Sequence, residues 1–386
     1  MINHIAKYLS LVLSILLIFS NISIALAAPQ PFDIQAKSAI LMEYETGTIL
    51  YEKNADEKFP IASLTKIMTI LLALESIDAG QLKLNDKVTV SEYASSMGGS
   101  QVFLHAGETL SVDALLKAIV VASGNDACVA IAEKISGSHE VFVSRMNQRA
   151  KELGMNNTNF VNCTGLPADN HYSTARDVAI MSCELLKHPA FFRWSSIWVD
   201  TLEESRNKTE LANTNKLVRF YDGTDGIKTG YTQEAGHCLS ATTKRGNMRL
   251  LSVVLNAPTS QVRFSEATKM MDYGFANFKV VSFLKKNQII KPDIRVTGGK
   301  EEYINGIISS NVNFLIKSDE STEFVQDIEI DEKITAPLEK GEKIGTLTIR
   351  QDDRIIETLD IISDRDVFKA NMFDYFKKIF NEWIGK

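Results

Sequence analysis

A helical segment that begins at Ser63 and is apolar on nearly every face constrains the fold of this 386-residue chain more than any other feature. The segment runs to Gly80. Because no broad polar face is left for water, the helix is predicted to lie at the centre of a large core, covered on all sides. The apolar positions near its start are Ile61, Ala62, Leu64, Ile67, Met68, Ile70, Leu71 and Leu72.

Ser63 and Lys66 stand three positions apart at the start of this helix, so their side chains share a face and can touch. Pro60 favours a helix start there, and helix N-termini stabilise developing negative charge. A serine hydroxyl attacks a carbonyl only when a base takes its proton, and a lysine is a base only when neutral. Burial or a second cation keeps a lysine neutral, and Lys228 is the candidate for that cation.

A second motif, Ser123-Gly124-Asn125, falls between two helical stretches. A glycine-containing turn at this place can direct two polar side chains into a cleft, although alone it is more typical of a helix cap. Together with the first motif, it predicts that Ser123 relays a proton to the leaving group. Asn125 is predicted to hydrogen-bond the substrate amide.

A third motif, Lys228-Thr229-Gly230, lies in a segment predicted to form an edge strand. Lys228 and Thr229 are suited to hold an anionic substrate terminus. The N–H groups of an edge strand can bind the substrate backbone and, with the N–H of Ser63, complete an oxyanion hole. Glycines around the motif fit a close approach of two backbones.

Each motif alone is weak, since Ser-x-x-Lys also occurs at Ser205 and Ser282. Only the set that begins at Ser63 starts an apolar helix, continues with Ser-x-Asn and closes on Lys-Thr-Gly. The three in order predict an acyl-transfer enzyme with a serine nucleophile.

The N-terminus has the features of a secretory signal peptide, residues 1–27. Lys7 is its only charge, residues 9–19 are apolar, and Ala25-Leu26-Ala27 is a small-x-small cleavage signal. An uncleaved membrane anchor is the alternative, although the apolar run is short for a spanning helix. Both place the body of the chain outside the cytoplasmic membrane.

The C-terminal residues 363–386 show aromatic and apolar side chains at helical spacing, with charged residues on the remaining faces. This pattern predicts an amphipathic helix that attaches the protein to the outer face of the cytoplasmic membrane. The alternative is a helix docked on the protein's own body. The apolar positions are Phe368, Met372, Phe373, Phe376, Ile379, Phe380 and Trp383.

Charge and cysteine content exclude other classes of function. The formal charge is −6, which becomes −7 when the single lysine of residues 1–27 is removed, and this does not suggest nucleic acid. The four cysteines contain no Cys-x-x-Cys pair and the six histidines are scattered, so no metal site is predicted. Packed free thiols are the expected state of the cysteines.

The order of strand-like and helical segments predicts a mixed α/β (α+β) catalytic domain over residues 28–280, an antiparallel sheet flanked by helices. A hairpin is predicted over residues 38–53, a block of helices follows, and strands return over residues 226–255 before a closing helix. Short alternating strands with glycine and proline breaks predict a separate β-rich domain over residues 281–362.

At these motifs the chain resembles the low-molecular-mass penicillin-binding proteins, the serine-type D-alanyl-D-alanine carboxypeptidases of peptidase family S11. The resemblance spans nearly the whole mature chain and includes Ser123-Gly124-Asn125-Asp126-Ala127-Cys128, Gly165-Leu166-Pro167, Asn213-Thr214-Asn215 and Ala336-Pro337-Leu338. It implies a serine β-lactamase/DD-peptidase-like fold, no metal or organic cofactor, and acylation by β-lactam antibiotics.

The resemblance further implies that the substrate is a peptidoglycan stem peptide ending in D-Ala-D-Ala. Ser63 would attack, Lys66 and Ser123 would move protons, and Tyr231 would supply the second oxyanion N–H. The arginine that would grip the terminal carboxylate stays unassigned, with Arg263 as one candidate. The predicted substrate-binding residues are Asn125, Lys228, Thr229, Gly230 and Tyr231.

Three alternatives share these residues. A β-lactamase would need a positioned carboxylate for deacylation, for which Glu184 is a candidate, although it falls in a helical, apolar stretch. An endopeptidase that cleaves crosslinked peptides would use the same site. A non-catalytic wall-binding scaffold is disfavoured because all three motifs are intact.

Overall fold

The structure is a computed structural model that describes residues 32–320, 323–351 and 354–383, with the backbone only for residues 377–382. From Gln35 onward the chain forms one compact unit. The predicted signal peptide lies outside the described residues. The α-helices are α1 (Lys66–Asp78), α2 (Glu92–Ser95), α3 (Val112–Ala122), α4 (Asn125–Ser136), α5 (His139–Glu152), α6 (Ala175–Leu186), α7 (Phe192–Ser195), α8 (Leu217–Phe220), α9 (Ser260–Asn277) and α10 (Met372–Trp383).

Sixteen strands are found in the described ranges: five form a large sheet in each half of the molecule, and the other six form three two-stranded sheets. They are β1 (Ser38–Glu43), β2 (Ile49–Lys53), β3 (Lys87–Thr89), β4 (Thr109–Ser111), β5 (Val199–Leu202), β6 (Thr209–Ala212), β7 (Thr224–Thr232), β8 (Gly236–Arg245), β9 (Met248–Ala257), β10 (Phe278–Leu284), β11 (Ile289–Arg295), β12 (Tyr303–Ile308), β13 (Val312–Lys317), β14 (Val325–Ile330), β15 (Lys343–Gln351) and β16 (Arg354–Ser363).

The first large sheet is antiparallel, with strand order β2-β1-β9-β8-β7. In its register Ile40 lies opposite Val253, and Ser240 lies between Val253 and Lys228. Helices α9 and α6 both pack on β9, and most β9 side chains on both faces are buried. This confirms the predicted sheet flanked by helices, and it places the strand with Lys-Thr-Gly at an edge, as expected.

Helix α1 is the buried central helix that its composition predicts. Every residue from Lys66 to Leu74 is buried, and α1 packs against α3, α4, α5 and α6. Its start differs from the prediction in one respect, because residues Ala62–Thr65 form a 3-10 turn and the α-helix begins only at Lys66. Ser63 therefore lies in a tighter turn that precedes the helix.

The second half of the molecule is β-rich, as predicted. It contains a five-stranded sheet of order β11-β12-β16-β15-β14 and a separate β10-β13 pair. Leu347, Ile349 and Ile361 are fully buried in an apolar core of its own. Strand β10 begins at Phe278, directly after α9, and so runs across the predicted boundary at residue 280.

The amphipathic helix begins at Met372, later than the residue 363 that the sequence pattern suggests. Residues before it stay extended because Val367 bridges Leu338 and Lys369 bridges Gly299. The helix start is capped reciprocally, since the backbone N–H groups of Asn371 and Asp374 each donate to the other's side chain at 2.9 Å. None of the helices in the described ranges has the length and hydropathy needed to span a bilayer.

Candidate active site

The structure brings Ser63 and Lys66 into contact. Lys66 Nζ lies 3.0 Å from Ser63 Oγ and also donates to the backbone carbonyl of Thr164 at 2.7 Å. Lys66 is fully buried, whereas Ser63 is partly exposed. The pair thus has the amine in the core and the hydroxyl at the edge of solvent, where a substrate can reach it.

Burial lowers the pKa of Lys66, because the charged form loses its hydration in the core. Interactions with Cys128, Cys163 and Asp126 oppose this and raise the pKa of Lys66. Burial also holds the pKa of Lys228 well below its usual value, and repulsion from Lys66 and Arg263 adds to that. Burial, more than a second cation, is therefore what favours the neutral form of Lys66.

The segment that holds Lys66 in place contains Gly165. Its φ is +85°, and a Cβ at this position would lie 1.8 Å from the carbonyl oxygen of Ala62. The Asn162 side chain accepts the N–H of Gly165 at 2.7 Å and so keeps the turn closed. Only glycine fits where this turn presses against the backbone beside Ser63.

The second motif sits where α3 ends. Ser123 has a φ of +66° and closes α3, and Asn125 begins α4 after a sharp turn at Gly124. The Asn125 amide donates to the Gly98 carbonyl at 2.7 Å. Ser123 Oγ and Asn125 Oδ1 are buried without a hydrogen-bond partner among the described residues. Buried polar atoms of this kind are typical of a site that completes its hydrogen bonds with a ligand.

Asp126, which the sequence analysis left without a role, orders the loop beside this motif. Its buried carboxylate accepts the N–H groups of Val102, Leu104 and Ala127 at 2.9–3.2 Å. These charge-assisted bonds anchor the loop on both sides of Phe103. Its position directly after Ser123-Gly124-Asn125 was the sequence feature that could have identified Asp126.

The third motif approaches Ser63 from the sheet edge. A Cβ at Gly230 would lie 2.8 Å from the Ile61 carbonyl oxygen and 3.1 Å from the Ser63 nitrogen, so β7 and the nucleophile turn are in close contact. Lys228 is buried, and Thr229 Oγ1 donates to Thr214 Oγ1 at 2.8 Å. Tyr231 is exposed and stacks on His237, with ring centroids 4.4 Å apart.

Thr214 joins the second and third motifs. Its N–H donates to the Val121 carbonyl at the end of α3, and its hydroxyl accepts from Thr229 in β7. Gly230 of the third motif lies against the Ser63 nitrogen, so β7 is joined to both the first motif and the helix that ends at Ser123. The structure thus brings Ser63, Lys66 and Gly230 together and links the strand of Lys228 and Thr229 to the helix end at Ser123, although these segments lie up to 167 positions apart.

Arg263, the candidate for gripping the substrate carboxylate, lies beneath β7. One nitrogen, Nη1, donates to the Gly230 carbonyl at 3.0 Å and to the Cys238 carbonyl at 3.3 Å. Burial lowers the pKa of Arg263 to about 10. Its Nε is buried with no partner among the described residues. In this arrangement Arg263 supports the edge strand from below.

His171 is a site neighbour that the sequence analysis did not assign. Its Nδ1 accepts the N–H of Val161 at 3.1 Å, so the proton of the neutral ring is on Nε2, which donates to Thr65 Oγ1 at 2.7 Å. Burial lowers the pKa of His171 to about 4. The ring thereby fixes the residue next to Lys66 without adding charge.

Glu184, the carboxylate considered for a β-lactamase, pairs with Arg149 at 3.1 Å and with Lys187 at 2.7 Å. Arg149 belongs to α5 and Lys187 follows the last residue of α6, so these two cations hold the carboxylate in a contact between the two helices.

Comparison with known proteins identifies two regions of similarity. The profile of the D-alanyl-D-alanine carboxypeptidase family, Peptidase S11, matches residues 24–259. The C-terminal domain of penicillin-binding protein 5 matches residues 278–369. Together they extend over both the helix-flanked sheet and the β-rich half.

Individual relatives match along most of the chain. The D-alanyl-D-alanine carboxypeptidase DacF of Bacillus subtilis is 44% identical over 351 residues, 90% of each chain. The crystal structure of penicillin-binding protein 5 from Haemophilus influenzae has a TM-score of 0.76 and 33% identity, covering 89% of this chain and 100% of that one. The crystal structure of penicillin-binding protein D2 from Listeria monocytogenes, in its ampicillin-bound form, has a TM-score of 0.55 and 35% identity. The match covers 63% of this chain and 98% of that one.

Proposed function

Because this chain belongs to the D-alanyl-D-alanine carboxypeptidase family, we propose that Ser63 is the nucleophile that removes the terminal D-alanine from peptidoglycan stem peptides. The observation that carries this proposal is the 3.0 Å contact between Ser63 Oγ and the Nζ of Lys66, together with the lowered pKa of Lys66. A neutral amine at this distance is a general base for the hydroxyl.

In the first step Lys66 takes the Ser63 proton while Ser63 Oγ attacks the carbonyl carbon of the penultimate D-alanine. The N–H groups of Ser63 and Tyr231 stabilise the oxyanion that forms. The peptide bond then breaks, and the departing D-alanine amine receives a proton through Ser123. Water hydrolyses the resulting ester, which releases the shortened peptide and regenerates Ser63.

The remaining residues bind the substrate. Asn125 hydrogen-bonds the substrate amide, and Lys228 and Thr229 hold the terminal carboxylate. Although burial lowers the pKa of Lys228, an arriving carboxylate favours its charged form, so binding and protonation support each other. Gly230 allows the edge strand to approach the substrate backbone closely. A β-lactam acylates Ser63 by the same attack on its ring carbonyl.

The experiment that tests the nucleophile is intact-mass measurement after penicillin exposure, with peptide mapping of the adduct and a D-Ala-D-Ala release assay. We expect one persistent adduct on Ser63 and none in Ser63→Ala, which also loses turnover. The matched control is Ser282→Ala, since Ser282 is exposed and begins another Ser-x-x-Lys sequence. Labelling that survives in Ser63→Ala would refute the assignment, and an adduct that disappears within seconds as the drug is consumed would favour a β-lactamase.

We also propose that the chain is exported with cleavage after Ala27 and attaches to the outer face of the cytoplasmic membrane through α10. The division into a catalytic domain (28–280), a β-rich domain (281–362) and a C-terminal anchoring segment (363–386) is part of this proposal. Its support is the exposure of apolar side chains at the helix, 76% for Phe373 and 70% for Phe376. Such a face favours a membrane interface.

Membrane attachment is tested by co-sedimentation of the mature protein with vesicles that contain anionic lipid. We expect the variant Phe373→Ser/Phe376→Ser to lose most of its binding. Ile355→Ser is the control, because Ile355 is an exposed apolar residue of β16, outside α10. Equal sedimentation of all three proteins would refute the proposal and favour the helix docked on the protein body.

A further inference from the structure

Phe103 combines two features that a purely structural side chain would avoid. Its backbone is in the left-handed region, with a φ of +58°, and its side chain is 59% exposed. The left-handed conformation is costly for a bulky residue, and an exposed ring gains little from apolar burial. Among the described residues with positive φ, Phe103 is the only aromatic one. This combination calls for a role other than packing.

The loop around Phe103 is held by its neighbours. The side chains of Val102 and Leu104 are buried, and their N–H groups both donate to the Asp126 carboxylate. Thr209 Oγ1 also donates to the Val102 carbonyl at 3.0 Å. The backbone is therefore fixed on both sides of Phe103, and this fixed backbone keeps the ring exposed. A strained residue that its surroundings hold in place in this way points to a functional contact.

The path of the loop places Phe103 toward the leaving-group side of the second motif. The N–H of Asn125 donates to the Ser100 carbonyl at 2.7 Å. Two residues later the loop reaches Gly124, where an added Cβ would lie 3.4 Å from a methyl carbon of Val102. The loop thus follows the motif from the asparagine proposed to bind the substrate amide toward the serine proposed to protonate the leaving amine. Phe103 is the next residue along this path.

We propose that Phe103 is a specificity-determining residue that contacts the side chain of the leaving D-amino acid. In the proposed reaction, Lys228 and Thr229 hold the carboxylate of this amino acid, and Ser123 delivers a proton to its amine. The side chain is the part that varies between leaving groups, and an aromatic ring offers it an apolar surface. The site therefore favours leaving amino acids with an aliphatic side chain longer than the methyl of D-alanine. This inference rests on the proposed carboxypeptidase function and extends it to the choice of leaving group.

The test compares two acetylated tripeptides, L-Lys-D-Ala-D-Ala and L-Lys-D-Ala-D-norvaline, which differ only in two methylene groups of the leaving residue. In Phe103→Asn we expect kcat/KM for the D-norvaline peptide to fall about threefold to tenfold more than kcat/KM for the D-alanine peptide, the range for partial burial of two methylene groups. Asparagine tolerates the left-handed backbone, so this variant removes the ring and keeps the conformation of the loop. Phe103→Leu keeps an apolar side chain and should retain most of the preference.

Tyr303→Ser is the matched control, because Tyr303 is an exposed aromatic residue of the β-rich half, and it should keep the preference of the unaltered chain. The Tm of Phe103→Asn should equal or exceed that of the unaltered chain, since the strain at this position is relieved. Equal losses for the two peptides, with Ser63 still labelled by penicillin, would overturn the assignment of Phe103 alone. The absence of both labelling and turnover in the unaltered chain would overturn the proposed function as well.

Discussion

Lysine side chains have opposite electrostatic environments in the two halves of this protein. In the catalytic half, Lys66 and Lys228 are buried, and burial lowers the pKa of each. In the β-rich half, Lys343 lies at the surface, and its hydrogen-bonded ion pair with Asp360 raises its pKa. The β-rich half keeps its cations hydrated, whereas the catalytic half places two of them where the charged form is unfavourable.

One glycine from each half shows a similar contrast. Gly165 and Gly341 both have strongly positive φ, +85° and +89°. A side chain at Gly165 would collide with the backbone beside Ser63, whereas at Gly341 there is open space within 4 Å. At these positions the catalytic half packs backbone against backbone and buries two lysines, whereas the β-rich half does neither.

The largest effect is expected from Lys66→Met, which replaces the proposed base with an apolar side chain of similar length. We expect kcat/KM for D-Ala release to fall by about 10²- to 10⁴-fold, the range for loss of a general base. Steady-state kinetics measure this, and circular dichroism checks that the variant is folded. Lys343→Met is the matched control and should keep full activity. Equal activity of the two variants would show that the buried amine of Lys66 does not contribute to catalysis.

The next effect concerns Gly165→Ala compared with Gly341→Ala. At Gly165 the new Cβ meets the Ala62 carbonyl oxygen in addition to requiring a left-handed backbone, so we expect a loss of about 2–5 kcal/mol in the free energy of unfolding. At Gly341 only the cost of the left-handed backbone applies, so we expect a loss of about 1–2 kcal/mol in the free energy of unfolding. Urea unfolding measures both. Penicillin labelling should slow only in Gly165→Ala, and equal losses in the two variants would contradict the packing argument.

The smallest effect is a pH dependence of stability that comes from His171. The unfolded chain binds a proton at this residue near pH 6.5, but the folded chain does so only near pH 4, where burial has lowered the pKa of His171. Between these values the unfolded state binds more protons, so stability decreases as the pH falls, by at most about 3 kcal/mol. Thermal unfolding between pH 7 and pH 4 should show this decrease, and His171→Gln should flatten it.

Asp364 of the β-rich half is the comparison for that experiment. The Arg365 side chain, together with hydrogen bonds from Asn305, lowers the pKa of Asp364 to about 2. Its stabilising contribution is therefore lost only as the pH falls below about 4. Asp364→Asn should leave the dependence of stability on pH unchanged above pH 4. An unchanged slope in His171→Gln would show that the buried imidazole is not the group responsible.

Much of the fold was predictable because its signals are local. The apolar character of α1, the hairpin of β1 and β2, and the strands of the β-rich half all follow from periodicity and turn residues within short windows. The start of α10 was not predictable from periodicity. The bridges of Val367 and Lys369 to distant residues keep the chain extended until the cap at Asn371.

The residues of the proposed site were named from the sequence, whereas the contacts that support them were not. Ser63, Lys66, Ser123, Asn125 and Lys228 belong to motifs whose chemistry can be recognised in the sequence. Thr164, Thr214 and His171 act through contacts with residues distant in the sequence, for which the sequence contains no periodic signal. Arg263 was considered for the substrate carboxylate, and the structure shows it donating to the carbonyls of Gly230 and Cys238.

The sequence alone thus determined the chemical groups of this enzyme, their order along the chain and the buried helix that carries the first two. Only the tertiary structure decided that Lys66 is enclosed by the Thr164 segment, that β7 approaches Ser63 at Gly230, and that Asp126 fixes the loop on both sides of Phe103. The physical reason is that a pKa or a binding preference depends on which groups surround an atom in space. Those groups come from residues up to 200 positions away from Ser63 in this chain, the separation of Arg263.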